Sequence, residues 1–96
     1  MQREIYEVYA KIVDANGAYS TLSGYPKTFD SRSYSNDPKK ALKRAEGAMA
    51  ECWGAMCKRD DRQIQFVMIL RASDGAQIDI KKDGDLPDDP GQLIPD

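Results

Sequence analysis

Histidine is absent from all 96 residues of the chain. With it goes the side chain that most often serves as general base, as metal ligand, or as the partner that activates a serine or cysteine. Phosphate-cradling loops are missing as well, because Gly17, Gly24, Gly47 and Gly54 form neither a GxGxxG nor a GxxxxGKS spacing. Long apolar runs are lacking: the longest uncharged one, Phe66 to Leu70, is far too short to span a bilayer. The opening MQREIYEV has no apolar signal-peptide core, so a cytoplasmic protein without membrane contact is expected. Cysteine is scarce, with Cys52 and Cys57 five positions apart. On one helix that spacing sets them roughly 140° apart around the axis, unsuited to bonding each other, and neither has the local frame of a zinc or redox motif.

What remains for catalysis is thin. Ser20, Ser23, Ser31 and Ser33 coexist with many aspartates, but none sits in a recognisable frame for a lysine-activated serine or a carboxylate dyad. Asp79, Asp83, Asp85, Asp88 and Asp89 gather oxygen ligands, yet only Asp83-Gly84-Asp85 follows a calcium-loop pattern before Pro87 interrupts it. The expectation is a protein that is not an enzyme, with no catalytic residue, no metal and no cofactor.

A hydrophobic share of 41% with 31% charged residues is that of a soluble globular chain, long enough for one modest core. One α+β domain over residues 1–85 is predicted, with 86–96 as a Pro/Asp-rich tail. Its one long helical stretch runs from Asp37 to Arg59. Asp37 can cap the first turn and Pro38 suits its first position, while Leu42, Ala45, Met49, Cys52 and Met56 recur at spacings of three and four. Ahead of it, residues 4–13 read as a strand with apolar groups on both faces, Asn16-Gly17 as a tight turn, and residues 18–34 as an edge strand, in one piece or two, interrupted at Gly24-Tyr25-Pro26. Behind it, residues 63–71 read as a central strand and 76–81 as a strand with one wet face, joined at Ser73-Asp74-Gly75.

The order is therefore ββαββ: a four-stranded antiparallel sheet in the order 2-1-3-4 with one helix on one face. A single helix leaves the other face, here assigned Ile5, Tyr9, Val67 and Ile69, open for a partner unless Leu93 and Ile94 or the Tyr25-Pro26 excursion fold over it.

Charge is unevenly spread. Residues 38–62 hold seven basic and four acidic residues, net +3, whereas 74–96 hold seven aspartates and two lysines, net −5. Lys39, Lys40, Lys43 and Arg44 at the start of the helix, joined with tyrosines, are a possible nucleic-acid patch, against which stand a sequence pI of about 5.1 and the placing of Tyr25 and Tyr34 in the interrupted segment. The acidic end suggests the inverse, carboxylates occupying a basic groove built for phosphates.

An N-terminal strand with Tyr6-Glu7-Val8, a hairpin, an Asp37-Pro38-started helix carrying Ala48-Met49 and Trp53-Gly54, and a closing apolar hairpin from Phe66 to Ile80 together resemble some small phage anti-CRISPR proteins that inhibit type I systems. The resemblance covers about residues 4–81; the polar insertion Ser23–Ser33 and the tail depart from that compact pattern. It implies a non-enzymatic inhibitor that binds a surveillance complex or its nuclease and blocks target-DNA engagement, and no binding residue carries over from it. The expected contacts are Asp83, Asp85, Asp88 and Asp89, or the open sheet face at Tyr9, Val67 and Ile69. The alternatives are a nucleic-acid-binding module using the basic helix start and a homodimeric accessory protein paired through its sheet faces.

Overall fold

The computed structural model describes residues 3–13, 19–58 and 64–82. In chain order these form strand β1 (Ile5–Val13), strands β2 (Tyr19–Thr21) and β3 (Lys27–Asp30), a 3-10 turn (Ser31–Tyr34), helix α1 (Pro38–Cys57), and strands β4 (Ile64–Arg71) and β5 (Gln77–Lys82). All pairings are antiparallel. β1 pairs along one edge with β4, which pairs with β5; its other edge pairs with both β2 (Lys11 opposite Thr21) and β3 (Tyr6 opposite Phe29). The ββαββ-like arrangement with one helix on a sheet face is the one expected, but the order differs slightly: the edge strand is divided into two pieces that both pair with β1, so the sheet has five strands instead of four.

The division has a local cause. The Leu22 amide makes a last bond to the Ala10 carbonyl at 3.0 Å, and the chain then turns through Gly24 at φ 89°, a conformation glycine adopts without steric cost. Pro26 has no N–H to offer the ladder, so pairing resumes only at Lys27. The turn after β3 is held by Asp30, which accepts from the Arg32 amide at 3.0 Å and pairs with Arg3 at 2.8 Å. Hydrogen bonding to Arg3, then to the Arg32 backbone, holds the Asp30 carboxyl well below the usual carboxylate range. Fully buried Ser31 ties this corner to the N-terminus, its Oγ accepting from the Glu4 amide at 3.0 Å.

α1 starts where the sequence says. The Asp37 carboxylate accepts from the Lys39 amide at 3.0 Å, and Pro38 occupies the first helical position. Ala41, Ala45, Met49, Cys52 and Met56 are its buried stripe, with Leu42 and Trp53 half-buried beside them. The stripe packs on Tyr6, Val8, Ala10 and Ile12 of β1 and on Val67 and Ile69 of β4. Ala41 and Ala45 of the helix and Ala10 of β1 are small members of this one cluster, which suits close approach of helix and sheet.

Two expectations about the sheet faces are corrected here. Val67 and Ile69 lie under α1, fully buried, because Val67 stands opposite Ala10 and Ile69 opposite Val8 in the register. A strand that is apolar on both alternating sets does not disclose which set faces the helix, and only the register with β1 decides it. The second face instead carries Tyr9, Lys11, Phe66, Met68, Leu70 and Ile80, and its centre is not open: Phe66 and Met68 are both 0% exposed. The Tyr25 excursion lies on the helix side of the sheet. No helix is long and apolar enough to cross a membrane among the described residues.

Candidate nucleic-acid interface

Four of the seven expected contact residues, Asp83, Asp85, Asp88 and Asp89, lie outside the described residues. Of the others, Tyr9 is half-buried on the second face, where its hydroxyl lies 3.4 Å from Glu7 Oε2, and burial first, then Glu7, pushes its pKa up. Val67 and Ile69 are on the opposite face. These seven residues are not gathered into one site by anything the structure describes.

What the fold does gather is basic and aromatic. After β3 the chain runs beside the first half of α1, and the space between them is a groove of about 1080 Å³. Lys40, Lys43 and Arg44 line it from the helix, Lys27 and Phe29 from β3, and Tyr34 from the 3-10 turn, with Gly47 and Glu51 further along the helix. Helical spacing explains the first set: residues three and four apart share a face, so Lys40, Lys43, Arg44, Gly47 and Glu51 form one stripe flanking the apolar one. Four cations thus face one carboxylate.

Ion pairs among the described residues engage Arg3, Arg32 and Arg71, and none engages Lys27, Lys40, Lys43 or Arg44. Two of these cations instead lie over rings. The Arg44 guanidinium carbon is 5.9 Å from the Tyr34 ring centre, and Lys27 Nζ is 5.0 Å from that of Tyr25. Both separations are within the range of cation–π attraction.

At its far end the groove adjoins a smaller recess of about 250 Å³, with Lys27, Ala48 and Glu51 lining both. Tyr25 and Cys52 meet there. The Tyr25 phenol is pushed up to about 12, by burial first and then by the neighbouring Cys52 thiol and the nearby Glu51 charge. The phenol is therefore neutral throughout the physiological range. No group of three or more potential metal ligands occurs among the described residues.

The basic helix start was visible as a charge cluster in the sequence. Its aromatic half was raised and then counted against the patch, because Tyr25 and Tyr34 sit in the polar interrupted stretch and only the return of β3 along β1 swings them against the helix. Lys27 had no signal at all beyond its place two residues after Tyr25. No protein-family model, curated protein or solved structure matches the chain.

Proposed function

We propose that the protein is a non-enzymatic binding module that takes a nucleic-acid strand along the groove between α1 and β3. The observation carrying this is the row of four cations without ion-pair partners among the described residues, interleaved with ring faces on one concave surface. Phosphates release counterions when lysine and arginine take their place, and rings accept bases, so the two residue types serve the two halves of a nucleotide. A net charge of −2 does not oppose this, since what a strand meets is the local field of the groove.

Fluorescence anisotropy with a labelled oligonucleotide tests it. With all four cations on phosphates, log K should fall against log salt with a slope of about −3 for a single strand, a loss of about 50-fold between 50 and 200 mM. Lys43→Glu with Arg44→Glu, both exposed, should cost at least about tenfold and flatten the slope by more than one unit. Absence of binding at 50 mM salt, or binding that the charge reversal leaves intact, contradicts the proposal.

A second reading has its support in the acidic half of the sequence, where residues 74–96 carry a net charge of −5. There the protein is an inhibitor, of the kind its resemblance to anti-CRISPR proteins implies, whose Asp83, Asp85, Asp88 and Asp89 occupy a basic surface of a type I surveillance complex or its nuclease. Capture of such a complex by the wild-type chain, lost on alanine substitution of the four aspartates, supports it; undiminished capture removes the aspartates from the contact.

A further inference from the structure

We infer that the groove selects single strands, stacking a base on Tyr34 while Arg44 leaves that ring for a phosphate. The inference rests on the nucleic-acid reading and deepens it. Tyr34 is half-buried, packed against the helix-side core and ending the short turn that leads into α1, so the plane of its ring is set before any ligand arrives. One of its faces is occupied by Arg44, which is itself exposed and without an ion pair among the described residues. A guanidinium gains more from a bidentate phosphate than from an exposed ring, because a charge-assisted hydrogen bond is the stronger interaction. A strand laid along the groove therefore draws Arg44 off the ring, and the uncovered face is left for a base.

There is room for that base. Gly47 lies three residues beyond Arg44 on the same side of α1, is exposed, and lines the groove as bare backbone, with nothing within 4 Å of where a Cβ would stand. The Lys27–Tyr25 pair repeats the cation-over-ring arrangement at the other end. A duplex keeps its base faces stacked inside and offers this groove phosphates alone, and an acidic peptide offers charge without flat bases.

Three labelled nucleic acids of about twelve nucleotides, a length that covers one site, and a labelled polyglutamate separate these possibilities on the full chain: oligothymidylate, the same strand made abasic, and a duplex beside the acidic peptide. Oligothymidylate is expected to bind roughly 5- to 150-fold more tightly than the abasic strand, the effect of one stacked base. Tyr34→Phe, which keeps the ring, should preserve that ratio, and Tyr34→Leu should abolish it. Gly47→Ala narrows the groove and should weaken oligothymidylate binding while raising the melting temperature. Gly54→Ala, also helical, exposed and open at its Cβ but off the groove, should raise the melting temperature and leave binding alone.

Equal binding of the thymidylate and abasic strands overturns the stacking inference and leaves the electrostatic groove standing. Duplex or polyglutamate binding as tightly as oligothymidylate overturns it too. Absence of binding by every strand at low salt overturns the proposed function with it.

Discussion

Asp74 shows how an exposed carboxylate can still be committed to one conformation. It accepts from Nε and one terminal nitrogen of the Arg71 guanidinium, at 3.0 and 2.7 Å, and from the Ala76 amide at 3.0 Å, and so closes the β4–β5 turn around Gly75 at φ 70°. The Arg71 hydrogen bond first, then the backbone one, lowers its pKa to about 2. A depressed folded-state value means that the contribution to stability is fully present above the unfolded carboxylate value, about 4, and is lost as pH falls toward about 2. Thermal melts of the wild type and Asp74→Asn should therefore differ most above pH 4 and converge only as pH falls below about 2, whereas a difference constant with pH would show that the charge is not what Asp74 contributes. This residue was legible in part. Ser73-Asp74-Gly75 announced a turn by composition, while the pairing of Arg71 with Asp74 three residues on was not read from the sequence.

Among the elements, β4 is where sequence and structure part most usefully. Its eight residues have no polar set to mark a wet side, so both faces of the strand were candidates for the helix, and the choice that left Val67 and Ile69 open was the wrong one of two. α1 was legible almost to the residue for the opposite reason, since Asp37, Pro38 and a strict three-four apolar spacing all point the same way. The division of the edge strand was half legible, from Pro26. The burial of Phe66 has a measurable consequence. Phe66→Ala should cost about 3–5 kcal/mol in urea unfolding, the ordinary range for emptying a phenylalanine site in a core. A cost below about 1 kcal/mol would mean that this face of the sheet is open in solution. Face-to-face pairing of two copies at the centre of that face has no support from the structure, because Phe66 and Met68 have no exposed surface to contribute.

For the whole molecule, the chain is electrically lopsided, and the fold concentrates rather than disperses this. The helix start and the returning β3 put four cations on one concavity while the chain as a whole stays mildly acidic. Composition could not reveal that, since a net charge is a sum over surfaces that a ligand never meets together. Absence of histidine and of nucleotide-loop spacings was legible from the start and directs attention from reaction chemistry to binding. The candidate surface was legible as a lysine-rich helix turn that tyrosines could join, but Tyr25 and Tyr34 counted against it because they sit in the interrupted polar segment. The sheet connects them.

The most direct measurement is a map of amide chemical-shift changes as a single-stranded oligothymidylate is titrated into the labelled protein. The account predicts changes concentrated at Lys27 to Phe29, Ser33 to Ser35 and Lys40 to Glu51, diminishing as salt is raised. Changes centred instead on β5 and the second face of the sheet, or none at a strand concentration well above that of the protein, would contradict it.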